Sequence, residues 1–332
     1  RKDSVSLWRY LALFRRDILS AQPKRLYGAW MAEFRTPFFR SYLLNQPELI
    51  KKVLKTQPMD FPKSDRIGAG LRPLLGNSVF LTNGAEWQRQ RRIIDPAFQN
   101  IGIRQAFPAM WAAGLQAVAR LHQHAGLKTP VEIEAETSHA AADVIFRTLF
   151  SLPITDQLAA QVFEQFKIYQ RSQPLLNIAA FLKFPRWLPG FFRRDTRRSA
   201  HSIRRLIAQL TRARMDQITA GTAPDDLATK IMTQRDPETN EQFSIDEMVD
   251  QVAIFFLAGH ETSASALAWA LYLLATHPEW QDKVAKEAAI LTEPDYGSVA
   301  KLKLSRDVFR ETLRLYPPVP MMVRQSRCPV TF

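Results

Sequence analysis

The chain has 332 residues, 46% hydrophobic and 23% charged, enough for a large core built as one domain or two and too apolar for a disordered chain. Its net charge of +13 and isoelectric point of about 10.0 raise the question of an anionic partner. A single cysteine, Cys328, excludes an internal disulfide and fits a reducing cytoplasm.

The chain opens at Arg1 and has no signal-peptide pattern, which reads as a missing N-terminal piece. Periodicity predicts a helix from Val5 to Ala21, a strand from Phe38 to Leu44 and a helix from Gln46 to Thr56 with Pro47 in its first turn. From Met59 to Asn83 the prolines and Gly68, Gly70 and Gly76 predict a loop long enough to cover a cavity. Next, Trp87 and Arg91 lie four apart and share a helix face. An indole N–H and a guanidinium on one face can grip a carboxylate; a surface cation–π pair explains the same spacing.

Helical periodicity then dominates: Ala106 to His124, Glu136 to Leu149, Asp156 to Ser172 and Arg193 to Ile218, with a strand signal only at Val131-Glu132-Ile133. Between Lys183 and Arg214 ten basic residues face one acid, Asp195, and they follow Phe181, Phe184, Trp187, Phe191 and Phe192. No nucleic-acid-binding signature accompanies them, so nucleic acid is not the expected partner. Aromatics beside arginines over residues 181–198 suit peripheral contact with an anionic membrane, and a solvated helix face suits them too. A polar stretch from 221 to 242 holds a short helix, Asp225 to Gln234.

The central stretch runs from Ser244 to Thr276. Ser244 and Glu247 form a capping box, Phe243 and Met248 a hydrophobic staple, and His277-Pro278 a stop. The resulting helix measures about 50 Å. Apolar residues surround it from Val252 to Leu274, which predicts a buried axle. It is also the one stretch with the length of a membrane span, and His260 and Glu261 argue against that use.

Within this helix, Ala258-Gly259-His260-Glu261-Thr262-Ser263 places an acid and two alcohols where polar groups are costly. Thr262 can bond back to the carbonyl four residues earlier, so a self-satisfied kink accounts for the cluster as well as a site does. Zinc does not, because the His-Glu-x-x-His pattern needs a second histidine where Ala264 stands. A helix follows from Pro278 to about Leu291, then one that Ser305 can cap and Pro317-Pro318 must end. It carries Glu311 and Arg314, an i, i+3 pair whose apolar neighbours Val308, Phe309, Leu313 and Leu315 predict burial.

Taken together, Ala258-Gly259-His260-Glu261-Thr262 in a long helix and Glu311-Thr312-Leu313-Arg314-Leu315-Tyr316-Pro317-Pro318-Val319-Pro320 after it closely resemble the heme-thiolate cytochrome P-450 mono-oxygenases. Trp87-x-x-x-Arg91 and Asp236-Pro237-Glu238-Thr239 agree with the same family, and the resemblance spans Phe38 to the last residue. It implies a mainly α fold around a long central helix with small β-sheets, one domain over residues 1–332, and heme b (iron protoporphyrin IX) as cofactor. Glu261 and Thr262 would hold water and relay protons beside the heme, and Ala258 and Gly259 would leave space for oxygen. Trp87, Arg91 and Arg324 would bind the propionates, and Glu311 with Arg314 would form a structural ion pair. The substrate is expected in an apolar cavity under the loop after Met59.

The resemblance also implies an electron donor of ferredoxin or flavodoxin type with its reductase, attracted by Arg89, Arg91 and Arg92, and a monomeric, cytoplasmic or membrane-peripheral protein. The family's iron-ligand cysteine loop has no counterpart here: Cys328 sits in Ser326-Arg327-Cys328-Pro329-Val330, without glycine and too soon after Arg314. The sequence therefore reads as a fragment truncated at both ends, expected to bind heme poorly and to be inactive as given. Two other readings share these residues: a peroxide-driven or isomerising heme enzyme, and a non-catalytic helical ligand-binding or membrane-peripheral protein. The intact Glu261-Thr262 pair favours the mono-oxygenase.

Overall fold

A computed structural model describes residues 6, 9–10, 12–13, 21–35, 40–127, 130–172, 194–291 and 294–330. Strands β1 (Met31–Arg35) and β2 (Arg40–Leu44) pair antiparallel, from Met31 opposite Leu44 to Arg35 opposite Arg40. Helices follow in order: α1 (Pro47–Lys51), α2 (Asp65–Leu75), α3 (Gly84–Ile94), α4 (Asn100–Leu127), α5 (Ile133–Phe150) and α6 (Gln157–Ser172). Then come α7 (Arg194–Thr219), α8 (Leu227–Thr233), α9 (Ile245–Thr276), α10 (Pro278–Ala288), α11 (Tyr296–Val299) and α12 (Lys303–Leu315). The architecture is mainly α, with α9 as its axis and α5, α7, α2, α12 and α10 packed against it.

Helix α9 begins where its capping box predicts: Ser244 Oγ accepts from the Glu247 amide at 3.2 Å, and Glu247 accepts from the Ser244 amide at 2.8 Å. The loop before it is fixed by Asp236, which accepts from Arg92 at 2.6 and 2.9 Å and from Thr239 at 3.0 Å. This gives the Asp-Pro-Glu-Thr motif a structural purpose. On the other side, Arg89 reaches Glu247 at 2.7 Å and the Gln242 carbonyl at 3.2 Å. Arg89 and Arg92 are therefore bound to the 236–247 segment, which corrects the expectation that they face an acidic electron donor. Arg91, half exposed, pairs with Asp95 one turn further on at 2.9 Å.

Three local expectations also change. The glycine- and proline-rich stretch after Met59 is partly helical, as α2, because Pro73 falls in its last turn and Gly76 ends it with φ at +52°. A Cβ at Gly76 would lie 2.0 Å from Asp250 Oδ1, so only glycine fits this approach to α9. Val131-Glu132-Ile133 is not a strand: Ile133 opens α5, whose helical period outweighs two β-branched residues. Ser305 does not cap α12; it lies inside the first turn, and its amide and hydroxyl bind Glu287 at 2.8 and 2.7 Å. The sequence pattern also lacks β1, which one-sided alternation in Met31–Arg35 leaves indistinct. Most of the Val5–Ala21 helix and residues 181–193 of the basic aromatic stretch lie outside the described residues.

The core lies on one side of the axis. Phe256 (2% exposed) packs on Phe166 and Phe146 with ring centroids 4.3 and 4.9 Å apart. Met248, Val249, Val252 and Ala253 are buried with it. From Ala258 onward α9 is less enclosed: Ala258, Leu267, Trp269 and Tyr272 are exposed, so the axle is fully enclosed over only its first half. Among the described residues no helix is long and apolar enough to cross a membrane.

Candidate functional site

The open face of α9 forms one wall of a groove of about 390 Å³, lined by Thr262, Ser263 and Ala266, by Phe309 and Leu313 of α12, and by Pro317, Pro318 and Val319. The prolines end α12 and turn the chain back along α9, where Tyr316 stacks on Trp269 with centroids 3.8 Å apart and planes 3° from parallel. Small residues on one wall and stiff apolar ones on the other shape a slot for a flat apolar body. Among the described residues no packed side chains seal it.

Thr262 Oγ1 donates to the Ala258 carbonyl at 2.5 Å, the back-bond expected of it. Its proton is thereby committed inward, and its lone pairs remain to accept from water or a ligand. Glu261 and Ser263 are both exposed rather than buried, and of the two Ser263 lines the groove. Even so, partial burial raises the Glu261 carboxyl above its ordinary value; a hydrogen bond from Gln170 opposes this and the charge of Glu134 adds to it. Ala258 is exposed on the same side. Gly259 is not equivalent: a Cβ there would meet Ile145 Cδ1 of α5 at 3.1 Å, so the room it leaves admits α5 rather than oxygen.

The cationic residues gather at a second point. Lys63 and Arg324 form an isolated antiparallel bridge, extended by the Gln325 amide donating to the Pro62 carbonyl at 2.9 Å. The Lys63 ammonium lies 5.4 Å from the Trp87 ring centre and donates to the carbonyls of Val79 and Thr82 at 2.6 and 2.9 Å. Burial first, then the charges of Arg324 and Arg91, lower its pKa to about 8. Trp87, Arg91 and Arg324 are thus brought together, and Lys63 joins them. Its sequence context, Pro62-Lys63-Ser64 in a loop, carries no periodic signal that could have found it. Arg324 lies five positions after Val319, so this cluster lies within about 17 Å of the groove.

Glu311 and Arg314 form a bidentate pair at 2.7 and 2.8 Å, but they are exposed, contrary to the expected burial. The apolar neighbours that suggest burial, Phe309, Leu313 and Leu315, line or flank the same open side, and the buried residue of that turn is Thr312. His260, adjacent to the acid, points the opposite way and is buried among Phe163 and Phe256. Burial lowers its pKa to about 4, only partly opposed by Ser138. No cluster of histidine, cysteine and carboxylate side chains suited to a metal occurs among the described residues, and Cys328 is exposed.

The site thus consists of a long axial helix with an open polar turn, an apolar slot beside it and a separate group of cations. The cytochrome P-450 family model matches residues 25–332, and the chain belongs to that family. It is 28% identical over 319 residues to a cytokinin hydroxylase of Arabidopsis thaliana, covering 90% of this chain and 61% of that protein. With a cyclooctat-9-en-7-ol 5-monooxygenase of Streptomyces melanosporofaciens it shares 31% identity over 322 residues, 95% of this chain and 67% of the relative. The solved heme domain of a cytochrome P-450DA mutant superposes with a TM-score of 0.76 at 21% identity, covering 94% of this chain and 68% of the other. The chain thus spans about three fifths of the first of these relatives.

Heme is the cofactor of this fold, and the residues present fit it: an apolar slot for the macrocycle and a tryptophan with three cations for two carboxylates.

Proposed function

We propose that the protein of which these residues are part is a heme-dependent mono-oxygenase that inserts one atom of O2 into an apolar organic substrate. Electrons come from a redox partner of ferredoxin or flavodoxin type. The observation that carries this reading is the groove itself, which keeps Thr262 open on an otherwise apolar wall of α9. When bound there, heme supplies the redox chemistry of oxygen; the chain positions and protonates.

In this reading Lys63, Trp87, Arg91 and Arg324 hold the propionates. Ala258 and Ala266 keep the slot narrow and unhindered. Thr262, its own proton engaged by the Ala258 carbonyl, accepts a hydrogen bond from water and holds it beside the slot. Glu261, whose carboxyl burial holds above its ordinary value, keeps its proton to a higher pH than a solvated glutamate does and so can serve as its source. The loop 76–82 is pinned to the first half of α9, the Asn77 amide donating to Asp250 at 2.7 Å and the Val79 amide to Gln251 at 3.0 Å. The hydroxylase and mono-oxygenase names of the relatives support an oxygen-inserting reaction.

The test is isotopic. The natural full-length protein, loaded with heme and supplied with a reductase, a ferredoxin and reduced nicotinamide cofactor, is turned over on a panel of apolar substrates under ¹⁸O2. One ¹⁸O atom per product is the expected outcome; product labelled from water, or formed only with added peroxide, contradicts it.

A further inference from the structure

The basic run that ends at Arg214 has no part in the reaction scheme above, and α7 sorts its arginines by direction. Arg204 turns inward: Nη1 lies 2.6 Å from Asp250 of α9 and donates to the Leu74 carbonyl at 3.0 Å. Arg214, buried, pairs with Asp226 and donates to the Phe150 carbonyl at 2.7 Å. Arg198, Arg205 and Arg212 remain exposed, and no carboxylate among the described residues pairs with them. Each follows the last by seven residues, so they form one stripe along α7 with a spacing of about 10.5 Å. Between Asp195 and Asp216 the chain has no acid, and the stripe therefore keeps its positive field.

The middle arginine of the stripe stands at a cavity. A groove of about 450 Å³ lies between α6 and α7, on the side away from the buried Val162, Phe166, Ile203 and Ile207. Gln161 and Gln165, one turn apart on α6, line it together with Ser202 and Arg205 of α7, and the buried Leu206 gives it an apolar floor. The acid of the lining, Glu164, is held by Lys167 at 2.9 Å. Its charge is thereby matched, while that of Arg205 is not.

We propose that this groove is a binding site for a small organic monocarboxylate, with the carboxylate on Arg205 and the carbon body against Leu206. A guanidinium presents two parallel N–H donors to the two oxygens of a carboxylate. The Gln161 and Gln165 amides and the Ser202 hydroxyl are uncharged donors for the lone pairs that remain. One unmatched positive charge suits one negative charge. A dianion such as inorganic phosphate would meet Glu164 without a second cation in the lining, and it has no carbon to place on the floor. Arg198 and Arg212, outside the groove, draw anions towards it without touching the ligand. The groove shares no lining residue with the slot at Thr262, so the site depends neither on heme nor on the mono-oxygenase reading.

A ¹⁹F NMR titration of the natural full-length protein with para-fluorobenzoate tests it, with para-fluorobenzamide as the uncharged twin and inorganic phosphate as competitor. Saturable binding of the benzoate is expected, with the benzamide weaker by about tenfold or more and phosphate unable to displace it. Arg205→Gln should weaken the benzoate by about tenfold or more. Arg212→Gln, on the stripe but outside the groove, should change its affinity by less than about twofold, and Glu164→Gln should tighten it. All three positions are exposed, and circular dichroism confirms the fold of each variant. Benzoate affinity unchanged in Arg205→Gln, benzamide bound as tightly as benzoate, or no saturable benzoate binding up to millimolar concentration overturns the proposal. So do equal losses in Arg205→Gln and Arg212→Gln, which mark a diffuse basic surface instead of a site. These readouts do not involve turnover, so they stand whichever way the ¹⁸O experiment falls.

Discussion

The two halves of α9 are both largely apolar in sequence and differ sharply in the fold. From Met248 to Phe256 the helix is closed in by α5, α6 and α7, and its side chains are buried except for the partly buried Phe255. From Ala258 to Tyr272 the enclosure is incomplete: Thr262, Ser263 and Ala266 line the groove, and Leu267 and Trp269 are each 37% exposed. Hydrophobicity in the first half builds the core; in the second it builds a wall for something flat. The turn between them is where the polar residues sit, Gly259 and His260 towards the core, Glu261 and Ser263 away from it.

This division is broken most severely from the closed side. Phe256→Ala removes a ring stacked between Phe166 and Phe146 and is expected to cost about 3–5 kcal/mol in denaturant unfolding. Leu267→Ala on the open side, in the same helix, should cost only about 1 kcal/mol. Equal losses would erase the distinction.

The next effect is a pH dependence. The folded state holds His260 near 4, well below its unfolded value of 6.5, so between these values the unfolded chain binds the extra proton. Its contribution is complete above pH 6.5 and is lost as pH falls to 4, about 3 kcal/mol in all. Glu261, shifted upward from 4.5, acts with the opposite sign as pH rises above that value, so the comparison belongs in a Glu261→Gln background. There, His260→Asn should flatten the unfolding free energy across this window, as read from urea titrations at stepped pH.

At the turn itself, Thr262→Ala removes the water-holding hydroxyl. It should lower product formation by the heme-loaded full-length protein roughly a hundredfold, the scale of one proton-transfer contribution, and raise peroxide release. The melting temperature should barely move, because the Ala258 carbonyl keeps its helical partner. The smallest effect belongs to the outer surface. Glu311→Ala breaks an exposed, solvent-screened pair and should leave the unfolding midpoint of this chain unchanged.

The same contrast explains which parts of the fold are legible in the amino-acid sequence. Ser244, Glu247 and Pro278 mark the ends of α9 by local chemistry, and Asp226 caps α8 by the same rule, so those boundaries can be read directly. The slot is only half legible. Thr262 and Glu261 stand out as polar residues in an apolar run, but which way each points depends on what packs against α9, and Gly259 turns out to serve Ile145. The apolar neighbours of Glu311 and Arg314 suggest a buried pair, yet they face the groove and leave the pair in solvent. Lys63 carries no pattern at all: it acquires meaning only when a distant segment, the bridge at Arg324, is brought beside it.

The central claim is that the open face of α9 is the heme face, and heme content per chain of the natural full-length protein tests it most directly. Ser263→Trp places an indole in the slot at an exposed position, and Ala275→Trp places one at an exposed position of the same helix that does not line the groove. The account predicts that the first variant is folded and depleted of heme while the second retains it. Full heme occupancy in folded Ser263→Trp would contradict it.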